Sequence, residues 1–198
     1  MYMAASNRCP LCGSSVVRVE NPREYLYERS GISGIRLVGG GVTITRCDGC
    51  RNTVTSIWNE QQLSQVLGLS ILLSPPGMRG EHLRYLRTLF GMTQAEMARA
   101  MNLKRRPTIA VWESRSTVFG NPGDEMLPRA ILLNLFKVKI IDSEFCFLTD
   151  RQRQLFDDSL CSFVSRIPEA IRTRPRRSHL KIERRSDHWS AASLPACA

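Results

Sequence analysis

Two pairs of cysteines carry the clearest chemical signal in this chain. Cys9-Pro10-Leu11-Cys12 and Cys47-Asp48-Gly49-Cys50 each set two thiols three positions apart, and 34 residues separate the pairs. Two residues between thiols let one tight turn present both sulfurs to one ion, and the Pro or Gly beside each pair suits that turn. Zn²⁺ takes four thiolates tetrahedrally, so two such knuckles on neighbouring hairpins close a four-cysteine site. A complete set leaves no position open for water, which makes the expected site structural. A redox dithiol, an iron–sulfur site and unligated thiols are the alternatives. A redox C-x-x-C normally opens a helix, and neither pair precedes a helical pattern. Arg8, Arg46 and Arg51 flank the knuckles and are placed to offset the negative charge of four thiolates. Cys146 and Cys161 read as small buried apolar residues, and Cys197 has no evident partner.

A second group of residues lies in the middle of the chain. Leu83, Leu86, Leu89 and Phe90 share one face of a predicted helix that Gly91 stops. Thr93-Gln94-Ala95-Glu96 then forms a capping box that starts the next helix, which runs to about Met101, and Asn102 tolerates a left-handed turn. Pro107 suits the first turn of a third helix carrying Ile109 and Trp112. Thr93 and Gln94 sit where backbone N–H groups can meet a phosphate. Arg84, Arg87, Lys104, Arg105, Arg106 and Arg115 surround this block with positive charge.

Other elements must position these groups. Residues 1–58 read as strands and turns: Val16 to Val19, Tyr25 to Tyr27, and the runs Ile35–Val38 and Val42–Arg46, which flank Gly39-Gly40-Gly41 as a hairpin would. Asn59 to Leu67 predicts a short helix ended by Gly68, and Ser74-Pro75-Pro76-Gly77 is the best domain boundary. Residues 116–127 read as a loop, and Pro128 to Phe136 as a helix. Thr149-Asp150-Arg151-Gln152 is another capping box, followed by Phe156, Leu160, Phe163, Val164 and Ile167 at helical spacing. That apolar face can pack on the domain or form a dimer seam. Beyond Pro168 the chain is rich in Arg, Ser and Pro and reads as disordered.

Leu83-Arg84-x-Leu86-Arg87 followed by Gly91-Met92-Thr93-Gln94-Ala95-Glu96-Met97-Ala98, with Trp112-Glu113 downstream, resembles the helix-turn-helix of the Xre/Cro family of repressors over about residues 80–138. The resemblance implies that the helix beginning near Pro107 enters the major groove. Thr108, Ala110 and Val111 would then face base edges, and Lys104, Arg105 and Arg106 would meet phosphates or bases. Gln94 would match the family's phosphate contact, Trp112 and Ile109 would be core, and Glu113 a structural ion pair. A four-cysteine domain ahead of this block is similar to the MqsA antitoxin family, with its YgiT-type zinc finger, over roughly residues 8–140. That implies a zinc domain that binds a toxin RNase and a second domain that forms a homodimer and represses its own promoter. The family's Asn and Arg base readers are not preserved, since Pro107 and Val111 stand near those places.

The expected fold is therefore α+β. A small zinc-stapled β-rich N-terminal domain (1–73) and a linker (74–79) precede an all-α helix-turn-helix DNA-binding domain (80–141). An amphipathic helical extension (142–168) and a basic disordered tail (169–198) follow. Composition fits this outline. The chain has 198 residues with 42% hydrophobic and 23% charged, enough to bury a core. Its net charge of +10 divides into +2 over residues 1–78, +6 over 79–141, −3 over 142–165 and +5 over 166–198. Two separated basic regions suit a polyanion, because binding phosphates releases counterions. Arg172, Arg174, Arg176, Arg177, Lys181, Arg184 and Arg185 would let the tail add non-specific affinity.

No apolar run approaches the ~20 residues needed to cross a bilayer, and the N-terminus lacks a secretory pattern. The expected location is the cytoplasm. With three histidines and no P-loop, zinc-protease helix or nucleophile elbow, the chain is not expected to be an enzyme. The leading expectation is a sequence-specific, repressor-like DNA-binding regulator with one structural Zn²⁺. The alternative is a zinc-stapled protein–protein adaptor.

Overall fold

In the computed structural model the chain is described over residues 8–9, 11–14, 17–74, 77–103, 107–119, 122–158 and 181–191. The structure contains both helices and sheets, in keeping with the α+β expectation. The Val-, Ile- and Thr-rich runs of the N-terminal region form β1 (Val17–Glu20), β2 (Glu24–Leu26), β3 (Arg36–Val38), β4 (Val42–Cys47) and β5 (Thr53–Ile57). They belong to two sheets. One is antiparallel with order β1-β4-β5; the other has order β2-β3-β6-β7 and is completed from the far end of the chain by β6 (Lys181–Arg185) and β7 (His188–Ala191).

This topology corrects two expectations. Gly39-Gly40-Gly41 is not a hairpin turn, because β3 and β4 lie in different sheets. Their φ angles are 81°, 86° and 85°, and they carry the chain across to the other sheet. A Cβ on Gly39 would stand 2.7 Å from the Arg184 carbonyl oxygen, and one on Gly41 3.1 Å from the Trp189 ring. The glycines thus admit a backbone and an indole that arrive from residues 181–191. The second correction concerns the tail. Part of the segment expected to be disordered is an antiparallel hairpin whose β6 runs parallel to β3, pairing Leu37 with Ile182. Ile182 and Trp189 are fully buried, and Trp189 Nε1 donates to the Trp58 carbonyl at 2.7 Å. Two apolar residues in a basic segment are enough to anchor it once a free sheet edge is available.

Helix α1 (Glu60–Leu73) starts at Asn59, whose side chain accepts from the Gln62 N–H at 3.3 Å. It does not stop at Gly68. A Cβ there would lie 2.4 Å from Leu89 Cδ2 and 3.3 Å from Phe136 Cε2, so the glycine is a close-packing site inside the helix. Most of α1 is buried, including Leu63, Leu67, Leu69, Ile71 and Leu72. It is the central helix of the molecule, and the helices α2 (Gly80–Leu89), α3 (Gln94–Ala100), α4 (Pro107–Glu113) and α5 (Pro122–Phe136) follow it. Helix α5 begins six residues before the expected Pro128, with Pro122 at its first position and Asp124 and Glu125 in the first turn.

That earlier start brings a buried ion pair to the linker. The Arg129 guanidinium contacts the Glu125 carboxylate and donates from Nη1 to the carbonyls of Ile71 (3.2 Å), Leu72 (2.7 Å) and Ser74 (2.7 Å). Glu125 Oε2 accepts from the Gly77 and Met78 N–H groups at 2.7 and 3.0 Å. One pair on α5 therefore satisfies the exposed carbonyls at the end of α1 and the N–H groups that lead into α2. The expected boundary at Ser74–Gly77 is clamped on both sides, and one continuous apolar core contains residues from Tyr27 to Trp189.

After α5 the chain makes one π-helical turn (Lys137–Ile141). Residues 150–158 are helical, opened by the expected capping box: the Gln152 N–H donates to Thr149 Oγ1 at 3.3 Å and the Thr149 N–H to Gln152 Oε1 at 2.9 Å. Phe156 is buried and stacks on Phe136 at 5.6 Å, so this part of the extension packs on the core. Leu160, Cys161, Phe163, Val164, Ile167 and Cys197 lie outside the described residues. Cys146 is half-buried rather than buried. Among the described residues no helix is long and apolar enough to cross a membrane.

Candidate metal centre and nucleic-acid interface

The four thiols meet at one end of the β1-β4-β5 sheet, where Cys47 is the last residue of β4. Cys9 Sγ lies 3.7 Å from Cys50 Sγ, Cys12 Sγ lies 3.6 Å from Cys47 Sγ, and all four sulfurs fall within 4.8 Å of one another. A tetrahedron built on metal–sulfur bonds of about 2.3 Å has edges of roughly 3.8 Å. Donor set and spacing therefore fit one tetrahedral four-thiolate metal ion.

Local backbone conformation makes this possible. Gly13 takes φ 73°, and its N–H donates to the Cys9 carbonyl at 2.9 Å, which closes the first knuckle. In the second, Arg51 takes φ 58° and the Cys47 N–H donates to the Asn52 carbonyl at 3.0 Å. Gly49 is where the knuckles touch, since a Cβ there would stand 3.0 Å from Ser14 Oγ. The N–H groups of Leu11 and Cys50 point at Cys9 Sγ (3.4 Å) and Cys47 Sγ (3.5 Å), and the Asn52 side-chain amide at Cys50 Sγ (3.4 Å).

Such donors favour thiolate over thiol. The Cys50 backbone N–H, helped by the neighbouring thiols against partial burial, holds Cys47 down at about 6. Cys50 is lowered first by a hydrogen bond from the Asn52 backbone N–H. Cys12 goes the other way, up to about 12. A backbone hydrogen bond at Ser14 lowers it, but proton sharing with Cys47 and Cys50, together with burial, outweighs that.

Asn52 and Ser14 were not singled out by sequence spacing; polar residues just beyond each knuckle were the available signal. Of the flanking arginines, Arg46 pairs with Glu20 at 3.6 Å, and Arg18 reaches Asp48 inside the second knuckle at 3.2 Å.

The helical block is organised around Glu113 at the end of α4. Its carboxylate is buried and accepts from Arg87 Nε (2.6 Å), Arg87 Nη2 (3.2 Å) and Gln94 Nε2 (3.0 Å), with Arg84 Nε at 3.8 Å. Burial alone would raise its pKa. The Arg87 and Gln94 hydrogen bonds and the Arg87 and Arg84 charges outweigh burial and hold it below the usual carboxylate value. Arg87 also donates to the Met92 carbonyl at 2.9 Å, pinning the turn between α2 and α3. A single carboxylate so ties together α2, α3 and α4. At the other side of α4, a Cβ on Gly80 would lie 2.5 Å from the Trp112 carbonyl oxygen, so the start of α2 fits against the end of α4 only as glycine.

The capping box at Thr93 forms as expected: the Thr93 N–H donates to Glu96 Oε2 at 2.7 Å, and the Glu96 N–H to Thr93 Oγ1 at 3.2 Å. Asn102 takes φ 53° at the following turn. Of the candidate DNA-contacting residues, Thr93, Ala110, Val111 and Arg115 are exposed, while Thr108 and Gln94 are half-buried. Gln94 spends its amide on Glu113. Lys104, Arg105 and Arg106 lie outside the described residues. Ile109 is buried, and Trp112 packs edge-on against Phe119 at 5.2 Å. In the hairpin, the Arg184 guanidinium sits over the Trp58 ring at 4.7 Å and Arg185 pairs with Glu183 at 3.6 Å.

No family model matches the chain, and neither a curated protein nor a solved structure matches it.

Proposed function

We propose that this protein is a sequence-specific, repressor-like DNA-binding regulator whose two knuckles hold one structural Zn²⁺ ion. The observation that carries the DNA-binding reading is the Glu113 hub. It locks α2, α3 and α4 together from the inside and leaves Thr108, Ala110 and Val111 on the outward side of α4. Arg84, whose side chain is 60% exposed, and the exposed Arg115 add positive charge to the same helical block and suit phosphates. A recognition helix needs this combination: a fixed orientation from buried contacts and an exposed face at the groove.

Zinc is the ion best suited to four thiolates at tetrahedral spacing, and it would act there as a crosslink with no open coordination position. Metal analysis of purified protein should give one zinc per chain. Visible absorption from an iron–sulfur chromophore would overturn that assignment.

Selection of bound duplexes from a random pool tests DNA binding directly. A preferred sequence should emerge, with affinity that falls as salt rises. An empty pool at low salt would leave the zinc-stapled adaptor as the better reading. The toxin-binding role and the homodimer implied by the resemblance have separate tests. A small RNase-like toxin encoded beside this gene should co-purify with the chain, and sedimentation on the selected duplex should show two copies per palindromic site.

A further inference from the structure

We infer that the outward face of α4 reads thymine methyl groups in the major groove, with Val111 as the specificity-determining residue. The inference rests on the DNA-binding reading and narrows it to a chemistry.

The inward side of α4 is fully committed. Ile109 and Glu113 are buried, and Trp112 packs on Phe119. What remains outward is Ala110 and Val111, the latter 46% exposed, with half-buried Thr108 one turn before Val111. Ser114 continues the same face, but its hydroxyl donates back to the Val111 carbonyl at 2.8 Å, so its proton is already used. From Thr108 to Ser114 the exposed positions carry no Arg, Lys, Asn or Gln. Those are the side chains that make bidentate pairs with guanine or adenine. The thymine 5-methyl is the one major-groove base-edge group that an apolar side chain meets favourably.

Charge supports DNA as the occupant. Residues 79–141 carry a net charge of +6, and Glu113, the carboxylate of α4, is turned inward and neutralised by Arg87. One valine and one alanine are too small an apolar patch to hold a protein partner. On a helix within a basic block, they are enough to discriminate a methyl group.

The test starts from the duplex selected by the full-length, metal-loaded protein. Each thymine is replaced singly by deoxyuridine, which removes the methyl and keeps the base pair. Binding should weaken about fourfold at each contacted thymine, the value of one buried methyl-sized group. With Val111→Ala, thymine and deoxyuridine should bind alike at the position Val111 contacts. Circular dichroism should be unchanged, because the side chain is on the surface. A selected site that tolerates deoxyuridine everywhere would overturn the methyl reading and leave DNA binding standing. Failure to select any site would overturn both. The deoxyuridine series needs no protein variant, so it decides the question even if Val111→Ala misfolds.

Discussion

The two ends of the β1-β4-β5 sheet differ in what holds them. At the end where β4 starts, Val42 is buried in the same core as Leu63, Leu67 and Trp189. At the knuckle end, among the described residues, the buried groups are Cys9 and Cys47, while Arg18, Val19 and Glu20 of β1 are exposed. One end is stabilised by apolar area gathered from the whole chain. Among the described residues the other has little besides four sulfurs. The helical block belongs wholly to the first kind, with the addition of buried polar clasps at Glu113 and at Glu125–Arg129. Loss of the metal should therefore act locally, whereas loss of a core group should act on the entire molecule.

Metal removal is the strongest way to break this contrast. Structural zinc contributes on the order of 10 kcal/mol in small metal domains. Chelation, or Cys47→Ser, should abolish hydrogen-exchange protection in β1 and the knuckles while α1, α2 and α5 keep theirs. Simultaneous loss of protection in all of them would merge the two regions.

Glu125→Ala should be the most damaging change in the core, by about 3–5 kcal/mol in urea denaturation, because it strands a buried guanidinium. Combining Glu125→Met with Arg129→Met should recover only part of that. The pair also serves carbonyls of Ile71, Leu72 and Ser74 and the N–H groups of Gly77 and Met78, which would be left bare. Full recovery would mean the clamp contributes no more than its volume.

Trp189→Ala should destabilise by about 3–5 kcal/mol and leave the metal content unchanged. Its effect should reach α1, because the indole is buried in the core that α1 shares and the backbone N–H of residue 189, which donates to Gln62 Oε1 at 2.9 Å, is held in place by that packing. A change confined to residues 181–191 would demote the hairpin to an appendage.

Acid should act on the core through His82. Burial, and then the positive charges of Arg79 and Arg129, push its pKa down to about 3. The unfolded chain takes up a proton near pH 6.5 and the folded chain does not. Stability from this group is thus fully present above about pH 6.5. It falls on acidification toward pH 3, by at most about 1.4 kcal/mol per pH unit. His82→Gln should flatten that slope in a pH series of denaturation curves. The smallest effect is expected for Thr93→Ala, about 1 kcal/mol, from loss of one helix cap.

Local chemistry was legible in the sequence. The knuckles, the capping boxes at Thr93 and Thr149, the stop at Gly91, the turn at Asn102 and the start at Pro107 each depend on residues within a few positions of one another. A short window of chain contains all the physics they need. The same residues could not reveal which sheet β3 and β4 join, why three glycines stand together at Gly39–Gly41, or why α1 runs through Gly68. Each of those depends on a partner more than a dozen residues away: Arg184 and Trp189 for the glycines, Leu89 and Phe136 for Gly68. A basic composition hid the C-terminal hairpin, because burial of Ile182 and Trp189 becomes favourable only when β3 offers an edge. Sequence alone determined where four sulfurs would meet and where short helices begin and end. Only tertiary structure decided that the linker is clamped and that residues 24–38 and 181–191 share one sheet, since buried partners and free edges exist only once the chain has folded.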